Sequence, residues 1–461
     1  MPPNEFVGAG GPVAGAAVAP NAAQPGGPSA DGSVDVPGAA TAPDATAPEV
    51  TGTPAGGSAP ASGSGAAAGS APAAGSGGAV AGVKAASCAG FKNGPGITDT
   101  TINIGAIADR SGPVANTFKA AHDGMNAFVA YFNSTSSICG RKLKLHTYDS
   151  ALSATGSNNA SKAACAADFA LVGSFSAFDS GGADVTAECG QPDIRDQAVE
   201  VARQQAKTTI QVLPIQTEHM FLQPWAWGAQ QFGSKVKNAA YVYLNAGASG
   251  AITASIRKGT TEKYGYDWKK TIVVDITSVP NWNTYAQQLK SAGIEFVSTN
   301  LADNTPKLKA AFDQADYHPV FLADASAYGP RFISGPDAKT MEGVYSFTQT
   351  AMLEEASKVP EIGLMQTWLS RTGGDAGNIT AMESWAAGRL FVQTALQLGG
   401  KLDRASLLAA LRQVHKFDGN KIITPSDPGS GSTAPCATVV QVQGGRFVRI
   451  TPYPYTCGQL S

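Results

Sequence analysis

The residues that could do chemistry in this 461-residue chain are few and scattered. There is no G-x-S-x-G elbow, Walker-type G-x-x-x-x-G-K, H-E-x-x-H or calcium-loop pattern, so no nucleophile, phosphate cradle or zinc pair announces itself. The histidines at 122, 146, 219, 318 and 415 lack helical spacing, and the six cysteines at 88, 139, 165, 189, 436 and 457 include no C-x-x-C. Metal sites want close ligand pairs, so neither set predicts a metal or other cofactor. An even number of widely spread cysteines fits disulfides in an oxidising, extracytoplasmic setting better than buried thiols. Sequence leaves the connectivity open; Cys436 and Cys457 flank one apparent hairpin and are the favoured pair, with Cys88, Cys139, Cys165 and Cys189 as further candidates.

What could do chemistry instead is a set of small-residue turns between strands and helices. Thr101–Ala115 reads as a buried strand (Ile102, Ile104, Ala106, Ile107) broken at Ser111-Gly112-Pro113 and entering a helix. A strand that delivers such a turn to a helix N-terminus is how open α/β sheets present a ligand site at their carboxyl edge. A second strand runs from Cys139-Gly-Arg-Lys-Leu to Tyr148-Asp149, and a third is Phe169-Ala-Leu-Val-Gly-Ser-Phe-Ser. The turn Asn245–Gly250 sits where a phosphate loop could, but lacks its lysine and glycine pattern and reads as a tight turn beside a cleft.

The elements that must position these turns alternate along the chain. Helices are predicted over about 116–132 (with Phe118, His122, Met125 and Val129 on one stripe), 154–168 and 181–189; further strands lie at Pro192-Asp-Ile and 210–213. A second series follows Pro214: strands at 239–244, 271–276, 294–298, 320–323 and 344–349, with helices between. Asn283 is expected to cap one of these helices and Gly293 to stop it, and Thr305-Pro306 to open another. The last third reads as helix over 378–398, with Met382, Trp385, Val392 and Leu396 inward, then a helix capped by Asp403. Alternating βα units predict parallel sheets covered by helices, here two of them facing a cleft.

Residues 1–87 do not fit that pattern. They are almost wholly Ala, Gly, Pro, Ser, Thr and Val, with Phe6 as their one aromatic and no Lys or Arg before Lys84. Such a segment cannot offset the entropy of ordering and is expected to be a disordered spacer. The net charge is −2, and the spacer's five acids leave a nearly neutral body with no basic run, which argues against nucleic acid as a partner. No run of 18 apolar residues reads as a membrane span. Met1-Pro-Pro-Asn-Glu shows neither the basic nor the apolar region of a secretory leader, so the extracytoplasmic expectation rests on the cysteines and on the likeness that follows.

From Gly96 to the C-terminus the order and spacing of SGPVA, GRKL with its following Asp, LVGSFS, and FDGNKI…VVQVQGG resemble the solute-binding proteins of ABC importers, branched-chain amino-acid type. The resemblance implies a type I periplasmic-binding fold: two Rossmann-like lobes with parallel central sheets and a three-strand hinge crossed near Ile215, Gln349 and Pro425. It divides the body into 88–215 (first lobe), 216–349 (second lobe), 350–425 (a helical return to the first) and 426–461 (final strands of the second). It also implies a monomer that captures a small amino acid, amide or related carboxylate and delivers it to an ABC permease in the membrane. A ligand sensor on the same fold is the alternative, and an enzyme using the cleft the third reading; no catalytic set supports the last.

In that family, helix-start N–H groups and small hydroxyls hold the ligand carboxylate, and a second-lobe acid pairs with the ammonium. Carried over, the ligand set is Ser111, Thr117, Phe175, Ser176, Ala177, Phe178, Gln197, Ser249, Asp303, Asn304 and Asp324. Departures are marked. Ala177-Phe178 replaces the usual Ser or Ala-Ser, Gln197-Ala198-Val199 replaces Ala-Thr, Ser249 stands for a tyrosine, and the ammonium-binding acid falls at Asn304 with Asp303 beside it. Both clamps are degraded, so leucine, isoleucine and valine are expected to bind poorly. Trp225, Trp227, Trp282 and Tyr285 could form a stacking surface, but Trp225 and Trp227 open a helix and read as core.

Overall fold

The computed structural model describes residues 83–278, 280–335 and 338–461. The expected spacer therefore lies outside the described residues up to position 82. Its last five residues belong to the folded body: Ala86 N–H donates to Leu396 O (2.9 Å), and Gly400 N–H to Ser87 O (2.8 Å). Folded chain thus begins before the expected boundary at Cys88.

The first sheet contains β1 (Thr101–Ala108), β2 (Lys142–Asp149), β3 (Ala170–Ser174), β4 (Asp193–Arg195) and β5 (Thr209–Gln211). All are parallel, in the order β2-β1-β3-β4-β5. β1 is an interior strand covered on both faces, which is why Ile102, Ile104, Ala106 and Ile107 are all buried rather than alternating with exposed residues. Between the strands run α1 (Ala115–Thr135), α2 (Ala154–Ala167), α3 (Ala183–Glu188) and α4 (Val201–Gln204). α1 extends beyond its expected ends, and His122, Met125 and Val129 of its stripe are buried. The Ser153 hydroxyl caps α2 by accepting from Gly156 N–H.

The second sheet repeats the first. Strands β6 (Ala239–Asn245), β7 (Trp268–Asp275), β8 (Phe296–Asn300), β9 (Val320–Leu322) and β10 (Tyr345–Thr348) lie in the order β7-β6-β8-β9-β10. This is the same winding, with β6 in the place of β1. Its central strands β6–β10 are parallel, as expected, and the final strands join it: β11 (Cys436–Gln443) and β12 (Arg446–Arg449) extend it antiparallel beyond β10, and β13 (Thr456–Cys457) pairs with β11. The helices here are α5 (Gln223–Phe232), α6 (Ser249–Tyr264), α7 (Trp282–Ser291) and α8 (Thr305–Gln314). α7 is capped by Asn281, whose side chain accepts from Thr284 N–H, not by Asn283, which lies inside the helix. Thr305 is likewise the first residue of α8 rather than its cap. Trp225 is core, packed on Phe221 and Phe347; Trp227 packs on Phe232 and Tyr345.

The chain then returns to the first sheet as α9 (Pro360–Thr372), α10 (Ile379–Leu398) and α11 (Arg404–Leu411). α10 packs on α1 and β3 and is buried on nearly every side. Gly124 of α1 permits the close approach: a Cβ there would lie 2.4 Å from Ala381 O. A buried ion pair fixes the return, Arg389 Nη2 lying 2.6 Å from Glu361 Oε1, which also accepts from Trp385 Nε1. Asp403 and Ser406 form a capping box on α11.

Three segments cross between the sheets side by side. Ala434 N–H donates to Pro214 O (3.1 Å), Gln349 Nε2 donates to Ala434 O (2.9 Å), and Thr424 N–H donates to Gln349 O (2.7 Å). Residues 426–432 fold back on 412–417, and the final strands start at Cys436. Disulfides join Cys88 to Cys139, Cys165 to Cys189, and Cys436 to Cys457.

Candidate ligand-binding cleft

In doubly wound sheets, ligands bind outside the carboxyl ends of the strands at the switch point of the winding. Here two such edges face one another, and a cavity of about 200 Å³ lies between them. Its walls come from the turn after β1 and the first turn of α1 (Val114, Thr117, Phe118) and from the turns after β3 (Phe175, Ala177) and β4 (Gln197, Val199). From the opposite sheet come Ala246 and Ser249 after β6, Asn300 and Ala302 at β8, and Asp324 to Ser326 after β9, with Arg331 further along. A larger groove of about 620 Å³ runs along residues 415–435, away from both strand edges.

Buried acids at the strand ends hold these turns in place. Asp109 accepts from Ser150 Oγ (2.7 Å), Leu152 N–H (2.8 Å) and Ala177 N–H (2.7 Å), tying the turns after β1, β2 and β3 together. Asp179 accepts from Val199 N–H (2.8 Å) and Glu200 N–H (3.0 Å) and faces Arg195 Nη2 at 3.4 Å. Burial raises its pKa to about 6 against the pull of Arg195 and Arg203. Asp324 accepts from Leu301 N–H (3.3 Å) and from Ser326 N–H (3.1 Å) and Oγ (2.6 Å), joining the turns after β8 and β9. Its burial raises its pKa as well.

Of the residues expected from sequence, Thr117, Phe175, Ala177, Gln197, Ser249 and Asp324 line the cavity. Thr117 Oγ1 is buried there without a hydrogen-bond partner. Phe118 and Phe175 form an aromatic wall, ring centroids 4.9 Å apart. The other five lie off the lining. Ser111 is exposed and donates to Asp149 Oδ2 (2.9 Å); Ser176 lies under the surface against Arg195 (3.5 Å); Phe178 opens the turn at Asp179–Gly182. Asp303 faces Arg331 Nη2 at 3.1 Å, and Asn304 accepts from Lys307 Nζ at 2.9 Å. Their side chains are committed to local partners. Trp282 and Tyr285 meet edge-to-face 5.9 Å apart on α7, away from the cavity.

Six polar lining residues were not anticipated: Asn300, Ser326 and Arg331 from the second sheet's side, and Asn378, Thr380 and Glu383 at the start of α10. Glu383 is 4% exposed, and Gln197 Nε2 donates to its Oε1 at 3.4 Å. Burial pushes its carboxyl up to about 8, so it is mostly protonated at neutral pH in the empty cleft. Beneath it, Asp196 accepts from Ser384 Oγ (2.7 Å) and is raised well above the carboxylate range by burial and by Glu383. The available signal was an acid within the largely apolar start of α10, residues 379–385, on a different face from Met382 and Trp385.

Residues 101–446 match the family model of the periplasmic binding proteins, and the chain belongs to that family. No curated protein sequence matches it. Among solved structures it is similar to a fatty acid ABC transporter substrate-binding protein from Thermomonospora curvata: 16% identity, 78% of this chain and 94% of that one covered, TM-score 0.66. It is also similar to a solute-binding protein of an ABC transporter from R. palustris in complex with 4-hydroxybenzoate (16%, 78% and 98%, TM-score 0.65). A branched-chain amino acid transporter substrate-binding protein from Streptococcus pneumoniae, in complex with isoleucine, is a third (13%, 78% and 100%, TM-score 0.64). At such identities the likeness speaks for the fold, which is the type I periplasmic-binding fold. No helix among the described residues is long and apolar enough to cross a membrane.

Proposed function

We propose that this protein is an extracytoplasmic substrate-binding protein that captures a small ligand between its lobes, as a monomer, for an ABC permease. The observation that carries this reading is the cavity at the facing strand edges, lined from both sheets and holding an unpartnered buried hydroxyl at Thr117. Its volume of about 200 Å³ lies below the roughly 300–1,000 Å³ of drug-sized pockets, which favours a metabolite of few heavy atoms. The ligands bound in two of the similar structures, 4-hydroxybenzoate and isoleucine, and the fatty acid in the name of the third each join an apolar body to a carboxylate and, in the first two, a second polar group. The cleft here likewise combines apolar residues, Phe118, Phe175, Ile252 and Ile276, with polar ones, Gln197, Glu383 and Thr117. Three disulfides fit an extracytoplasmic site of action.

A thermal-shift screen of amino acids, amides, short carboxylates, aromatics, amines and sugars tests the reading. A ligand present at a hundredfold excess over Kd stabilises the folded state by about 2.7 kcal/mol. At least one class should raise the melting temperature in proportion to the logarithm of its concentration. A compound chemically transformed in the cleft, with no compound stabilising the fold, would contradict it.

A further inference from the structure

The position of Glu383 bears on what the cleft accepts. It projects from the first turns of α10 beside Thr380, into a cavity whose carboxyl-bearing lining residues, among those described, are Asp324 and Glu383. Asp324 is consumed by three hydrogen bonds from its own loops. Glu383 has only the long bond from Gln197. The basic lining residue among those described is Arg331; its Nη2 faces Asp303 at 3.1 Å and donates to Ser326 O at 3.1 Å, while its Nε is buried without a hydrogen-bond partner. The cleft therefore holds an acid that lacks a cationic partner and a cation that already has its anion.

We propose that the ligand of this cleft carries a protonated amine that docks on the Glu383 carboxylate, with its apolar body against Phe118 and Phe175 and no carboxylate required. The inference rests on the binding-protein reading and assigns its ligand class. An ammonium group supplies the partner that burial denies Glu383, and the faces of the two phenyl rings favour a cation nearby. Thr117 Oγ1, buried at 7% exposure and unpartnered, offers a second acceptor for an ammonium that has three donors. A zwitterionic amino acid has to place its carboxylate near Asp324 with Arg331 already paired, which disfavours it.

The exchange of charge is defined. In the empty cleft the Glu383 proton is held by burial; when the ammonium ligand enters, that proton leaves to solvent and the carboxylate pairs with the cation. Asp324 and Arg331 line the cavity with Glu383, and Asp196, just after β4, interacts with it electrostatically; the other charged or titratable groups on the packed elements are Arg195 of β4, which pairs with Asp179 and Asp193, His122 of α1 and Arg389 further along α10. Arg389 is paired with Glu361, and His122 Nε2 lies 2.9 Å from Ala106 O with its pKa lowered to about 4 by burial, so neither supplies the missing cation.

The test uses the full chain with butylamine, cyclohexylamine and 2-phenylethylamine against benzoate, phenylacetamide and phenylalanine. Thermal shift and calorimetry at pH 7 should show at least one amine binding ten times or more tighter than every non-amine and than phenylalanine. Calorimetry in buffers of different ionisation enthalpy should show close to one proton released per amine bound. Glu383→Gln should remove that release and weaken the amine at least tenfold, while its circular dichroism spectrum and cooperative melt persist. A purely structural role for Glu383 would leave the proton count unchanged. Binding of benzoate with no amine bound, especially if lost in Arg331→Gln, would overturn the inference while leaving the binding-protein reading intact. Amine binding undiminished in Glu383→Gln would overturn it too; no binding by any probe class would overturn both.

Discussion

Gly247, in the turn after β6, faces the carbonyl oxygen of Ala177, in the turn after β3, so closely that a Cβ on it would lie 2.1 Å from that oxygen. The two lobes meet here at the rim of the cavity, and the missing side chain is what lets them. Gly247 has φ +49°, so a side chain there also costs about 1 kcal/mol in backbone conformation. Gly247→Val should hold the lobes apart, weaken any cleft ligand about tenfold or more, equivalent to about 1.4 kcal/mol, and raise the radius of gyration of the ligand-bound form in solution scattering. Unchanged affinity in this variant would mean that the rim contact plays no part in closure.

Asp179 acts at one remove from the cavity, because its carboxylate holds Val199 N–H and Glu200 N–H while pairing with Arg195. Removing one partner of a buried charged network commonly costs about 3–5 kcal/mol. Asp179→Ala should lose stability of that order in urea unfolding and should also weaken ligand binding, since Val199 and Gln197 sit on the released turn. A stability loss with affinity retained would place its role in the core alone.

The buried carboxyl of Glu383 gives the empty protein a pH dependence of known sign. Its folded pKa, raised to about 8, lies above the ordinary value of 4.5, so the native state binds more protons than the unfolded state between the two. Its contribution to stability is complete below about pH 4.5 and is lost as pH rises through about 8. Asp196 is shifted in the same direction. The melting temperature of the empty protein should therefore fall more steeply from pH 5 to 8 in the parent than in Glu383→Gln. Equal slopes would show that Glu383 is ionised throughout.

Peptide mapping without reductant should give three crosslinks, Cys88–Cys139, Cys165–Cys189 and Cys436–Cys457, and no alkylated thiol. The last closes a separation of 21 residues and ties β13 to β11. By loop-closure entropy, replacing both of its cysteines with alanine should cost about 3 kcal/mol. A different pairing, or six reactive thiols, would contradict this framework.

The fold was legible in the sequence because each lobe is built locally: a buried strand, a small-residue turn and an amphipathic helix, repeated in the same order. Local signals blurred where equivalents lay close together, as with Asn281 and Asn283, two residues apart and both able to cap. The cavity was legible where the family likeness could be carried onto strand ends and the helix starts that follow them, which is how Thr117, Phe175, Ala177, Gln197, Ser249 and Asp324 came forward. Asn378, Thr380 and Glu383 reach the same cavity on a helix that follows the second sheet by some thirty residues and packs back on the first. Only the tertiary return of α10 brings them there. Ser111 and Asn304, by contrast, had suitable chemistry, but Asp149 and Lys307 occupy them locally.

The most direct test of the central claim is a crystal structure of the protein saturated with the tightest ligand from the screen. The account predicts ligand density in the cavity of about 200 Å³, touching Phe118 and Phe175 from one lobe and Ser249 or Asn300 from the other. Density confined to the groove at residues 415–435, or to one lobe with the interlobe cavity empty, would contradict it.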